Sequence, residues 1–534
     1  MKGLIIFMKI KRILIITGLI IAVCFLCLIH YYRISVKVDS KRFIQLSAKQ
    51  KLEDFNYAYN ILKDNFPYFE VEKKKIGFDW LAHKKYFEDE IKNTKNDIEF
   101  YNKMDEIFYL IQNAHTEIFD PLTYAYVYKP EKCASEWDKI INNEKVHKKY
   151  EYWTKLLKNK YKSYEIPIKF TYIEGKYAVY DNSFNLPEGS ILKKINNADA
   201  DEYVKGLAPQ RYLYYDDKYK KVYSKSLRIS SNKCENILLT FESLEGKEIN
   251  KSLKTKEYNP YKTDISQLEE LKNDDVVLTK ILEKDKTAYI KVNSMESDCQ
   301  KYYPKMYDFY KQIKNYPNLI IDIRGNGGGS DLFWKDNIVA PLEKSTLRAK
   351  HCALFKGGAY IKPFIDELIG INNIMPVSDM PRSYKFTDKF IKQFSDFTLY
   401  IDMIMPKNTV GFKGKIYLLV DSGVYSASES FAAFAKDTEF AVLVGTTTGG
   451  DGIGFSPVYA KLPNSNLVFR FSMDCGINSD GTINEETHTK PDIYAEETYS
   501  DFLKSNEWLK TNDKNNINPY DTVLNKALEI MGNK

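Results

Sequence analysis

Residues 415–437, KIYLLVDSGVYSASESFAAFAKD, constrain this chain more than any other stretch. Residues 415–420 are an apolar run short enough for one buried strand. Asp421, Ser422 and Gly423 are turn residues. From Ser426 onward, Ala, Glu and Phe favour a helix. Strand, sharp turn, Ser and helix can set a hydroxyl beside the free N–H groups that open the helix. Such donors can stabilise an oxyanion. A second reading stands beside this one. Ser426-Ala427-Ser428-Glu429 fits a capping box, in which the Ser only caps the helix.

The chain has 534 residues, enough for about three or four domains, and 44% hydrophobic content supports a sizeable core. Its net charge of +6 is spread over 78 basic and 72 acidic residues. No block is basic enough to point to nucleic acid. The seven Cys and six His are scattered, with neither metal spacing nor a disulfide framework, so no metal or cofactor is implied.

Residues 13–29, ILIITGLIIAVCFLCLI, carry no charge and are flanked by basic and aromatic residues. The run is at the short limit of a spanning helix and is followed by no A-x-A-like cleavage site. Residues 1–40 therefore read as an uncleaved signal anchor, with a cleaved signal peptide as the alternative. This places the chain at the cell membrane, single-pass, with the remainder extracytoplasmic.

Residues 41–135 read as a helical segment, with apolar residues at helical spacing in LEDFNYAYNILKDNF and IEFYNKMDEIFYLIQNAH. The second of these ends at Asn113-Ala114-His115-Thr116, which makes His115 a candidate base. Residues 160–258 switch to short alternating runs separated by Gly-containing turns, a small β-rich module. Within it, GSILKKINNADADEYVKGL resembles the core of PDZ domains, with Ser190 and Asn197 in place of the usual Asp and Gly. Such a module would bind an extended peptide by strand addition; a β module without a ligand is the alternative.

Residues 280–498 read as an α/β core. Residues 318–329, NLIIDIRGNGGG, run from a buried strand into a Gly-rich loop. Neither nucleotide-binding spacing, GxxxxGK[ST] nor GxGxxG, is present there. Residues 351–414 show no clean period and read as an insertion able to line a site. A second Gly-rich loop, GTTTGGDG, follows the strand near residues 441–444. Residues 499–534 read as a polar tail.

The units IIDIRGNGGG and YSASESFAAFAKD, followed by VGTTTGG, resemble the S41 family of serine peptidases over roughly residues 285–495. The resemblance implies a crotonase-like spiral core of the ClpP/crotonase type and peptide-bond hydrolysis through an acyl-enzyme on Ser426. It implies an oxyanion hole from the amides of Ala427 and of Gly327 or Gly328. Asp322, Arg324 and Asn326 would shape the loop rather than react. Processing proteases of this family carry a Lys base after the second Gly-rich loop. That position is Asp451 here, a poor base. The tricorn-like branch instead implies His115 as base and Glu485 as a carboxylate orienting the site, with Ala114 where that branch has Ser. His488 and Glu486 remain rivals to His115 and Glu485. The expected substrate is an unstructured polypeptide tail or a short peptide. Two further readings are a non-catalytic peptide- or ligand-binding protein on the same scaffold and an acyl-CoA enzyme on the related fold.

Overall fold

The chain is described by a computed structural model over residues 45–129, 134–180, 183–262, 276–284, 286–381, 384, 386–513 and 516–532. Residues 48–534 form one unit, and of the other, residues 1–47, only 45–47 are described. The expected anchor lies outside the described residues. Among those described, no helix is long and apolar enough to cross a membrane.

The unit is built around a six-stranded sheet. Its order is Val277–Glu283, Thr287–Val292, Asn318–Asp322, Lys415–Val420, Val442–Gly445 and Ile493–Tyr494. The first pair is antiparallel and the others are parallel. Parallel neighbours need crossovers. Two of these are the helices Tyr303–Ile313 and Ala427–Asp437. Strand alternation sends Ile290, Leu319, Ile321, Leu418 and Val420 to one face, where they join Phe431 and Phe434 of the second helix in a buried core.

Tyr289, Ile320, Tyr417 and Leu419 point to the other face. They are covered by Val523, Leu524 and Ala527 of the helix Thr522–Ile530. Fully burying side chains such as Val523 and Leu524 contributes about 1.5–3 kcal/mol each. This corrects the reading of residues 499–534 as a polar tail. They carry two helices, Tyr499–Leu509 and Thr522–Ile530, and the second closes the core.

Residues 347–404 also differ from expectation. Leu347–Phe355 and Asp396–Ile404 pair along nine residues each and join Met375–Pro376 and Cys475–Ile477 in a four-stranded sheet. The stretch read as an aperiodic insertion is thus ordered by pairing with core residues.

The N-terminal segment carries the helices Ala48–Asn65, Phe69–Ile76, Lys84–Lys92 and Asp97–Tyr109. It ends in the strand Glu117–Ile118, which pairs with Val468–Phe471 of the core. The β-rich module has its own hydrophobic core, with Phe170, Val179, Leu192, Ile195, Leu239 and Phe241 buried together. A turn at Asn196 and Asn197 joins two of its strands at φ +48° and +68°. Asn tolerates this left-handed conformation, so the missing Gly does not break the turn.

Candidate active site

The strands Asn318–Asp322 and Lys415–Val420 run parallel, so their carboxyl ends deliver two loops to the same edge of the sheet. Ligands of open α/β sheets bind at such edges. The first loop is fixed by Arg324. Its guanidinium donates to Asp322 Oδ1 and Oδ2 at 2.9 and 2.7 Å and to both Asp521 oxygens at 2.8 and 2.7 Å. Burial would push the Asp322 pKa up, but Arg324 outweighs it and holds the carboxyl down at about 2. Asn326 Nδ2 donates to Val292 O, and Asn326 Oδ1 accepts from Gly328 N, each at 3.0 Å. These residues shape the loop.

The second loop carries Ser426 at φ +58°, ψ −127°. This strained backbone costs about 1–3 kcal/mol for a residue with a Cβ. The strain is held in place from both sides. Tyr425 N donates to Asn326 O, Ser426 N to Gly450 O, and Ser430 N to Ser426 O. The Ser426 hydroxyl accepts no capping bond. Glu429 is also not part of a capping box. Its buried Oε1 accepts from Asn484 Nδ2 at 2.8 Å and Thr489 Oγ1 at 2.7 Å. The capping-box reading is therefore replaced. Ser426 opens the helix without capping it, and Glu429 ties the helix to the 484–489 segment.

Gly328 lies against the turn. A Cβ built on it, at φ +103°, would sit 2.7 Å from Ser426 Cβ and 2.9 Å from Ala427 N. Its own N–H is taken by Asn326. Among the described residues, the N–H groups of Gly327 and Ala427 have no partner. Both residues line the cleft that holds Ser426, a cavity of about 600 Å³. Of the two glycines expected to supply a donor, Gly327 is the one with an N–H to give.

His115 lines the same cleft. It arrives there because the strand that follows it pairs with the core, Glu117 opposite Arg470 and Ile118 opposite Phe469. Its ring lies against Tyr425, with centroids 4.8 Å apart. Its Nδ1 is 2.9 Å from Asp451 Oδ2. A carboxylate only accepts, so Nδ1 carries a proton, and in the neutral ring Nε2 is the nitrogen left with a lone pair. The Ser426 hydroxyl makes no hydrogen bond with His115 or any other described residue.

Asp451 was not among the expected site residues, except as the unsuitable replacement for a Lys. It is 9% exposed and accepts from four further donors besides His115. Asn113 Nδ2, Ser472 Oγ and Tyr425 OH reach Oδ2 at 3.0, 2.8 and 3.3 Å, and Tyr68 OH reaches Oδ1 at 3.1 Å. Burial alone would raise its pKa. The adjacent His115 and the bonds from His115, Asn113 and Ser472 outweigh that and hold it below the ordinary carboxylate value. A charged, fully satisfied carboxylate fixes the imidazole and can stabilise its protonated form.

The other candidates fall elsewhere. Glu485 does not bond to His115. Its Oε1 accepts from Asn113 Nδ2 at 3.0 Å, the amide that also serves Asp451. Glu486 pairs with Lys74 at the surface. His488 lines a separate cavity of about 430 Å³. Its ring nitrogens face the carbonyls of Thr448 and Glu485, and burial and the nearby Lys75 push its pKa down to about 4.

Residues 286–495 match the model of peptidase family S41. No curated protein sequence matches the chain. Among solved structures, mature CPAF complexed with lactacystin aligns over 91% of this chain and 99% of its own, at 13% identity and a TM-score of 0.57. Mature CPAF alone aligns over 87% and 96%, at 13% identity and 0.55. The photosystem II D1 C-terminal processing protease aligns over 83% and 92%, at 11% identity and 0.39. At these identities, the likeness to CPAF is one of fold. The matched span, residues 286–495, which holds Ser426 and Asp451, is a peptidase family S41 domain, and the chain is a serine-type peptidase.

Proposed function

We propose that the chain hydrolyses peptide bonds with Ser426 as nucleophile, His115 as general base and acid, and Asp451 as the carboxylate that orients His115. The observation that carries this reading is the 2.9 Å contact from His115 Nδ1 to a buried Asp451 in the cleft of Ser426. Ser426 Oγ attacks the scissile carbonyl carbon while its proton passes to His115 Nε2. The developing oxyanion accepts from the N–H groups of Gly327 and Ala427. Collapse breaks the C–N bond, and the imidazolium returns the proton to the leaving amine. Water then cleaves the acyl-enzyme by the same steps in reverse roles.

Unstructured polypeptide tails or short peptides fit an open cleft reached by extended chain. In this reading the core is the crotonase-like spiral and residues 160–258 are a PDZ-like module that docks substrate by strand addition. The apolar run at residues 13–29 supports a single-pass anchor at the cell membrane with the catalytic part extracytoplasmic.

A fluorophosphonate probe followed by peptide mapping tests the nucleophile. Labelling confined to Ser426 and lost in Ser426→Ala is expected, together with digestion of an unfolded protein substrate that Ser426→Ala abolishes. Digestion that survives Ser426→Ala removes Ser426 from the mechanism. Tight substrate binding without turnover favours a non-catalytic binding protein, in line with the unbonded Ser426 hydroxyl.

A further inference from the structure

Behind Asp451 the structure holds two more buried acids that the reaction above does not use. Glu72, on the helix Phe69–Ile76, and Glu485, on the helix Asn484–Thr487, are each 4% exposed. Three of their four carboxyl oxygens, both of Glu72 and Oε2 of Glu485, are buried with no hydrogen-bond donor in reach among the described residues. The fourth, Glu485 Oε1, accepts from Asn113 Nδ2. The two carboxyl groups lie against each other. Lys75 Nζ is 3.7 Å from Glu72 Oε2 and also donates to Gln112 O.

Both acids border the cavity of about 430 Å³ that His488 lines, but their facing oxygens are buried away from any donor among the described residues. Two ionised carboxylates so placed repel strongly enough that one takes up a proton. That proton has one geometrically sensible place. Glu485 Oε1 is already an acceptor for Asn113, and Glu72 is the carboxyl beside the Lys75 ammonium. We propose that Glu485 is held as a neutral acid, its Oε2 proton donated to the Glu72 carboxylate, which Lys75 neutralises in turn. Asp451 is then the charged acid that faces the His115 imidazole, and Glu72 and Glu485 are positioning residues that act through Asn113. This rests on the function proposed above.

The electrostatics agree. Burial, then Asp451 and then Glu72 push the Glu485 pKa well above its ordinary value. Burial also raises Glu72, against the pull of Lys75, to about 7. The charged groups facing the pair are Asp451 and Lys75. The uncharged titratable groups around it are the hydroxyls of Tyr68, Tyr212 and Tyr425, the Cys475 thiol and His488. One amide, Asn113 Nδ2, donates to both Asp451 and Glu485, and Asn113 Oδ1 accepts from His115 N. Ionising Glu485 would set a second charge on this shared amide and raise the proton affinity of His115.

The test uses infrared difference spectra of the full chain together with pH profiles of kcat/KM. Glu485→Gln keeps the shape and neutrality of the protonated acid, because its amide can donate to Glu72 and accept from Asn113. It is expected to lose one carboxylic-acid C=O band at neutral pH relative to wild type and to keep the acidic limb of the profile. Glu485→Ala leaves both partners unpaired, so Asn113 and with it His115 lose their position, and kcat falls by about tenfold or more. Glu72→Gln keeps an acceptor but removes the negative charge that holds the proton on Glu485, so Glu485 ionises beside Lys75 and the acidic limb shifts upward. The proposal is overturned if Glu485→Gln loses a carboxylate band instead of an acid band, or if it falls as far as Glu485→Ala. Should Glu485→Gln not fold, Glu72→Gln gives the spectral comparison from the other side, and an acid band unchanged there is equally fatal. The spectra need no turnover. Failure of the peptidase reading, seen as absent Ser426 labelling, is therefore separate from failure of this one.

Discussion

Asp451→Asn isolates the charge behind His115. The structure dictates how the amide sits. Oδ2 accepts from His115, Asn113, Ser472 and Tyr425, whereas Oδ1 accepts from Tyr68 OH alone. The amide oxygen therefore takes the Oδ2 place and the NH2 faces the Tyr68 hydroxyl, which can accept. His115 keeps its orientation and its Nδ1 proton, and only the charge is lost. Two unit charges about 5 Å apart, the spacing of ring and carboxyl centres across such a bond, interact by about 3 kcal/mol at an effective dielectric of about 20. That attraction exists only once His115 is protonated, so it belongs to the transition state. It corresponds to about two powers of ten in kcat. Steady-state cleavage of a fluorogenic peptide measures the loss, and the thermal midpoint checks that the fold persists. A kcat within about threefold of wild type in a folded variant would refute the reasoning and return the orienting role to Glu485.

Two other perturbations follow from the loops. Ser426→Gly and Ser426→Ala should both be inactive, but at φ +58° only the Gly relieves strain. Ser426→Gly is expected to exceed Ser426→Ala in stability by about 1 kcal/mol by urea unfolding; a less stable Gly variant would contradict the strained turn. Arg324→Met strands the fully buried Asp322 and should cost about 3–5 kcal/mol by the same measurement. In wild type the folded-state pKa of Asp322, about 2, lies below its ordinary 3.8. Its stabilisation is therefore complete above about pH 4 and is lost as pH falls toward 2. A depression of roughly two units amounts to about 2–3 kcal/mol. A wild-type stability flat between pH 4 and 2 would contradict this assignment.

The strands that hold the site are legible in the sequence because each is a short apolar run closed by turn residues, as at residues 318–322 and 415–420. The helix Thr522–Ile530 is legible too in hindsight. Val523, Leu524 and Ala527 have helical spacing, but they lie in a stretch otherwise polar enough to read as tail. The pairing of Leu347–Phe355 with Asp396–Ile404 is a different case. It joins segments about forty residues apart, and no local period announces a long-range register. The S-x-x-E spacing of residues 426–429 misleads for the same reason. It matches a cap, while the actual partners of Glu429 are 55 and 60 residues away.

Asp451 shows the limit most clearly. Read as a replacement for a base, it counts against catalysis, since an acidic group of low proton affinity cannot activate a serine. Beside a histidine, that same low affinity is the required property, because the acid must stay charged while the imidazole cycles its proton. Which case applies depends on a contact between residues 336 positions apart in sequence. The loop position brings the side chain to the site in either case, here with Asp451 at φ +46°. Changing the chemistry then requires only that a histidine arrive from elsewhere. The pairing of Glu117–Ile118 with Val468–Phe471 supplies it, since it anchors the chain two residues after His115 to the strand two residues before Ser472, itself a donor to Asp451. The site therefore stands or falls with that short strand. Ile118→Pro or Phe469→Pro would test this, and the expected loss of turnover should come with Ser426 still in place and the six-stranded sheet intact.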